Sequence, residues 1–67
     1  MNILEKLGKR VKKIRKEKKF SQEKLKELSW LDRSYISHIE SAKVNCSISN
    51  LEKLAKWLWV EIWELFK

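Results

Sequence analysis

Apolar residues recur along this chain at intervals of three and four. Leu4, Leu7, Val11 and Ile14 do so first, with Ile3 widening the stripe, and predict an amphipathic helix from about Asn2 to Lys18. Leu25 and Leu28 give the stripe of a second helix, about Gln22 to Ser29, for which Ser21 is a good N-cap. Asp32 is the next N-cap candidate. It opens a third helix, about Arg33 to Ser41, with Ile36 and Ile39 together on one face. Ser47 caps a fourth, about Ile48 to Leu58, with Leu51, Leu54, Ala55 and Leu58 inward, and Trp59 and Val60 break it. Ile62, Leu65 and Phe66 suit a short fifth helix, about Glu61 to Phe66. No segment alternates apolar and polar residues as a half-buried strand does. The pattern predicts an all-α fold, a compact five-helix bundle.

The second and third helices are separated by a turn of about three residues, which is the spacing of a helix-turn-helix unit. On the third helix, Ser34, Ser37, His38 and Ser41 lie opposite the two isoleucines, with Arg33 and Tyr35 on the flanks. A short helix buried on one side and lined with small, hydrogen-bonding side chains on the other fits a DNA major groove.

Charge adds to this picture. Of 67 residues, positions 1 to 19 hold nine Lys or Arg against Glu5 and Glu17, a net of +7, while positions 20 to 67 hold seven of each sign. The whole excess falls on the first helix. So dense a basic face suits a polyanion, since neutralised phosphates release counterions. The other reading is a solvated face whose last cations complement the helix dipole. The length predicts one domain over residues 1–67, with a helix-turn-helix core at about 21–41. Nothing approaches the length of a membrane span or an apolar signal segment, and the one cysteine, Cys46, cannot form an internal disulfide. These features predict a cytoplasmic, nucleoid-associated protein with no membrane partner. One His and one Cys make no metal site. No nucleophile–base pair or glycine-rich phosphate loop is evident, so neither an enzyme nor a cofactor is expected.

The segments LGKRVKKIRKEK, SQEKLKEL, DRSYISHIE, NLEKLAKWL and EIWELF together resemble the phage-repressor (Cro/repressor-like, XRE-type) helix-turn-helix family. LDRSYISHIE followed by an asparagine connection is most similar to controller proteins of restriction-modification systems. The resemblance covers about residues 5–66 and implies a lambda-repressor-like domain, commonly a two-fold dimer on a palindromic operator. It implies base-reading roles for Arg33, Ser34 and His38, and places Tyr35 and Ser37 near bases or backbone. It implies phosphate contacts by Gln22, Ser41, Lys43 and Asn45, and an ion pair between Arg15 and Glu40. Both of these charged residues also flank the apolar stripes of their own helices.

The chain departs from the family where it has Trp30, Ala42 and Trp59 in place of Gly or Asn, Cys46 in place of Pro, and Trp57 in place of Ala. The first three positions favour φ > 0, which costs a residue with a Cβ roughly 1 kcal/mol. The turn at Trp30 is expected to keep its shape, with the indole packed on a neighbouring helix or subunit. Trp57, Trp59 and Trp63 either fill the core or form an association surface. Trp57 and Trp63 project off their apolar stripes, which favours a dimer interface shared with Phe66. The expected function is sequence-specific binding of double-stranded DNA by a homodimer that regulates transcription. The alternatives are an antitoxin whose aromatic C-terminal part binds a toxin while the same unit represses its operon, and a basic amphipathic helix for a membrane surface.

Overall fold

In a computed structural model of the chain, which describes residues 2–67, every α-helix starts at a polar side chain accepting from a free backbone N–H of the first turn. Asn2 accepts from the Glu5 N–H, Ser21 from Lys24, Asp32 from Ser34 and Ser47 from Asn50. The helices are α1 (Ile3–Glu17), α2 (Gln22–Ser29), α3 (Arg33–Glu40) and α4 (Ile48–Trp57). The expected bounds of α1, α3 and α4 run one residue further at one or both ends, where helices commonly fray. The Asn2 cap at the start of α1 was not expected.

The fifth helix is corrected. Ile62–Phe66 forms a 3-10 turn, so the described residues form four α-helices and a 3-10 segment. Five residues are too few to repeat an i to i−4 ladder, and the tighter i to i−3 bond closes instead, from the Glu64 N–H to the Glu61 carbonyl at 2.9 Å. A reciprocal capping box between Glu61 and Glu64 starts the turn. No strand occurs among the described residues.

The apolar stripes converge as their spacing predicts. Leu7, Val11 and Ile14 of α1 meet Leu25 of α2, Leu31 of the turn, Ile36 and Ile39 of α3, Leu51, Leu54 and Ala55 of α4, and Leu58 and Leu65 beyond it. Burying one such side chain is worth ~1.5–3 kcal/mol, far more than the propensity of any single residue. Arg10 fastens the end of the chain to α1, its Nε donating to the Glu64 carbonyl at 3.0 Å.

Within two residues of its end, each of the four α-helices reaches a left-handed residue that is not glycine: Lys19 (φ 62°), Trp30 (64°), Ala42 (62°) and Trp59 (61°). At three of them, paired reverse hydrogen bonds satisfy the last carbonyls. Phe20, Lys43 and Val60 donate to the carbonyls of Arg15, His38 and Ala55 at 3.0, 2.8 and 3.0 Å. Trp30 instead donates to the Lys26 carbonyl at 2.8 Å, and Leu31 to the Ser29 hydroxyl at 3.2 Å. The only glycine, Gly8, lies inside α1 where α3 crosses it. A Cβ there would stand 2.5 Å from the Ile39 carbonyl oxygen and 2.8 Å from that of Glu40. It serves helix contact, not a turn.

Candidate nucleic-acid interface

Once α3 buries Ile36 and Ile39, its opposite side is committed to solvent. Arg33, Ser34 and His38 are exposed there, and Tyr35 and Ser37 are half-buried at the edges. Ser41, Lys43 and Asn45 continue the exposed surface into the following loop. The Ser34 hydroxyl donates to the Asp32 carboxylate, which the Ser34 backbone N–H also approaches at 3.1 Å. Those bonds, the hydroxyl first, hold the Asp32 carboxyl below the usual carboxylate range. Ser41 turns back on its own helix, donating to the Ser37 carbonyl at 2.9 Å.

The orientation of α3 is set from beneath. Arg15 Nε and Nη2 donate to the two oxygens of Glu40 at 2.7 and 3.1 Å, a bidentate pair. Arg15 Nη1 donates to the Phe20 carbonyl at 2.7 Å. The two side chains are only 9 % and 4 % exposed, so water does little to weaken the pair. Gln22 Nε2 also donates to Glu40, at 3.2 Å. The expected phosphate ligand thus begins as part of the bracket joining α1, α2 and α3. An amide nitrogen has two hydrogens, so one remains for another acceptor.

A second bracket was not anticipated. Asn50 Nδ2, in the first turn of α4, donates to the Tyr35 hydroxyl at 3.0 Å. Cys46 lies beside it: burial pushes its thiol pKa up, and the Tyr35 hydroxyl partly opposes that. Nothing in the helical periodicity relates residues 35, 46 and 50, because the chain turns between them.

The basic excess divides into two parts. Arg10 and Arg15 are used inside the fold, whereas Lys6, Lys9, Lys12, Lys13 and Lys16 are exposed. The aromatic residues divide as well. Trp63 is 58 % and Trp59 75 % exposed, while Trp57 and Phe66 are half-buried and pack against the core. Lys67 lies over the Trp63 ring at 4.8 Å and Lys56 over Trp57 at 5.2 Å. Trp30 keeps the turn geometry expected of it, but its indole is 91 % exposed, which overturns the expected packing on a neighbouring helix. Its position at the αL terminus of α2 directs it away from the core that Leu31 enters. Among the described residues there is no group of three or more His, Cys, Asp or Glu able to hold a metal. No helix among the described residues is long and apolar enough to cross a membrane.

Two short helices with a tight αL turn between them, the second presenting a polar face over a bracketed apolar one, define a class of domain, and comparison with known proteins agrees. The family described as Helix-turn-helix matches residues 11–58, and the chain belongs to that family. Within it, the chain is 47% identical over 60 residues to the control protein C.MunI of Mycoplasma sp., spanning 88% of this chain and 81% of that protein. The crystal structure of the restriction-modification controller protein C.AhdI from Aeromonas hydrophila superposes with a TM-score of 0.92 at 46% identity, covering 94% of this chain and 96% of that one. The restriction-modification controller C.Esp1396I, solved as a tetramer in complex with its natural 35 base-pair operator, gives a TM-score of 0.85 at 40% identity over 100% and 99% of the two chains.

Proposed function

We propose that this chain is a transcriptional regulator of the restriction-modification controller type, binding double-stranded operator DNA sequence-specifically as a two-fold dimer. The observation that carries the reading is α3: a helix with Ile36 and Ile39 buried, Arg33, Ser34 and His38 exposed, and its frame held by the buried Arg15–Glu40 pair. Rigid placement matters because base edges are read by hydrogen bonds that tolerate little displacement. In this reading Arg33 donates to guanine O6 and N7, and Ser34, Ser37 and His38 meet neighbouring edges. Lys43, Asn45, Ser41 and the free amide hydrogen of Gln22 hold phosphates and set register. The exposed lysines of α1 add sequence-independent attraction. C.Esp1396I has been solved in complex with its operator, and its nearly full-length match to this chain supports the same use here. The relatives described above are controllers, and they lend no support to the antitoxin alternative.

The test is selection of bound sites from random duplex DNA, followed by gel shifts across a salt series. The expected product is a palindrome with half-sites separated by about one helical turn, ~34–36 Å. Binding should weaken steeply with salt for both selected and random duplexes, with a residual preference for the selected one. Recovery of no common sequence would reject specific reading, leaving at most a basic surface.

A further inference from the structure

One polar contact of the recognition helix belongs neither to its exposed face nor to the Arg15–Glu40 bracket. Asn50 Nδ2 reaches the Tyr35 hydroxyl at 3.0 Å across the junction of α3 and α4. An amide nitrogen donates only, so in this contact the phenol oxygen accepts. The single hydroxyl hydrogen of Tyr35 is left over. The Asn50 backbone is held at the start of α4, its N–H donating to the Ser47 hydroxyl at 3.2 Å. The Cys46 thiol also lies beside the hydroxyl and is only a weak acceptor for that hydrogen. Lys43 and Asn45 are exposed in the loop just before Cys46, and a phosphate diester offers anionic acceptors with no donor of its own.

We propose that Asn50 is a positioning residue which, by donating to Tyr35, turns the phenol hydrogen outward and makes Tyr35 a donor to a DNA phosphate, not a reader of bases. The inference rests on the DNA-binding reading above. It gives an α4 residue, away from the recognition face, control over one proton at the interface. Replacing the donor by an acceptor should reverse that proton: in Asn50→Asp the carboxylate takes the phenol hydrogen inward, and the phosphate loses its partner. Aspartate in the first turn of α4 is favoured by the helix dipole, so folding should persist.

The experiment is a double-mutant cycle of Asn50→Asp with Tyr35→Phe. Affinity is measured on a duplex recovered by selection from random sequence, and thermal melting is recorded for each variant. Tyr35→Phe should lose about tenfold in affinity, the worth of one hydrogen bond to a charged group. Asn50→Asp should lose at least as much, because its charge adds repulsion. In the Tyr35→Phe background only that repulsion should remain, so the Asn50→Asp penalty should shrink by about five- to tenfold. Asn50→Ala, which leaves the hydroxyl free to rotate, should lose no more than about threefold, since a freely turning phenol still reaches the phosphate. An equal Asn50→Asp penalty in both backgrounds would overturn the proposal. So would affinity losses that follow the melting temperature, which would make the contact a brace alone. If the unaltered chain binds no duplex at all, the DNA-binding reading falls and takes this inference with it. Binding without coupling removes this inference only.

Discussion

A buried charge is tolerated only when its partner and its remaining hydrogen-bonding groups are all supplied, and Glu40 has that supply. Arg15 takes both of its oxygens and Gln22 adds a third donor. Removing Glu40 would strand the Arg15 guanidinium, 9 % exposed, against a low-dielectric core. Glu40→Ala is therefore expected to destabilise the fold by about 3–5 kcal/mol. Glu27→Ala, at an exposed position of α2, should cost no more than ~0.5 kcal/mol. Thermal melting of the two variants side by side checks this, and equal midpoints would show the pair to be energetically idle. Arg33 offers the opposite case, a charge with no such partner at the start of α3. Under the proposed function, Arg33→Ala should leave melting nearly unchanged and weaken specific binding by ~1–3 kcal/mol, flattening preference at one base per half-site. An equal loss on selected and random duplexes would make Arg33 a phosphate contact.

At the scale of elements, the chain turns sharply four times with no glycine or proline at any turn. Each αL residue with a Cβ costs roughly 1 kcal/mol, and the carbonyls it satisfies at the helix end offset that cost. Trp30 is the clearest place to measure it, because an indole 91 % exposed has little packing to lose. Trp30→Gly relieves the strain but loosens the unfolded chain by ~0.4–1 kcal/mol, so the net change should lie between zero and a gain of about 1 kcal/mol. DNA affinity should hardly move. A loss of stability larger than ~1 kcal/mol would reveal packing of the indole, and a large gain in affinity would mean that the tryptophan distorts α3. Gly8→Ala should go the other way. Alanine is the better helix former, by about 0.5–1 kcal/mol, but its Cβ meets the Ile39 carbonyl at 2.5 Å. Overpacking of ~1–3 kcal/mol should win and lower the melting temperature. A raised one would show that α1 and α3 can part cheaply. These sites also mark what was legible in the sequence. The four α-helices follow from apolar spacing and from Ser21, Asp32 and Ser47, because caps and stripes are local signals. Lys19 gives no sign of a left-handed terminus, since its φ comes from where the chain must go next. Ile62, Leu65 and Phe66 have a spacing that a 3-10 turn and an α-helix share, so periodicity alone cannot separate them. The polar face of α3 was legible from Arg33 to Ser41. Its supports were only half so: Arg15 and Glu40 show by their positions beside apolar stripes, whereas Arg10–Glu64 and Tyr35–Asn50 join residues that only the packed fold brings together.

For the whole molecule, the question is what becomes of the aromatic surface at the end of the chain. Leu65 is fully buried and Arg10 holds the Glu64 carbonyl, so the final 3-10 turn is fixed to α1 while Trp63, immediately before these anchors, stays 58 % exposed. Trp59, 75 % exposed, adds to the uncovered aromatic area of the same part of the chain. A rigidly mounted aromatic surface suits association, because little side-chain entropy is lost on contact. In the proposed dimer, Trp63 is the anchor, and Trp57 and Phe66, each half-buried, form the margin. Two-fold association also explains how a recognition helix of only 8 residues could give useful affinity, since linking two half-site contacts raises avidity by ~10²–10⁴. Trp63→Lys should remove the anchor without disturbing the core. Sedimentation on the order of tens of micromolar, a range that detects even weak dimers, should find the unaltered chain as dimers and the variant as monomers. The variant should melt as a folded protein and lose most of its affinity for a two-half-site duplex, while keeping that for an isolated half-site. A monomeric unaltered chain, or a variant that still dimerises, would remove Trp63 from the interface and require another surface to pair the two recognition helices.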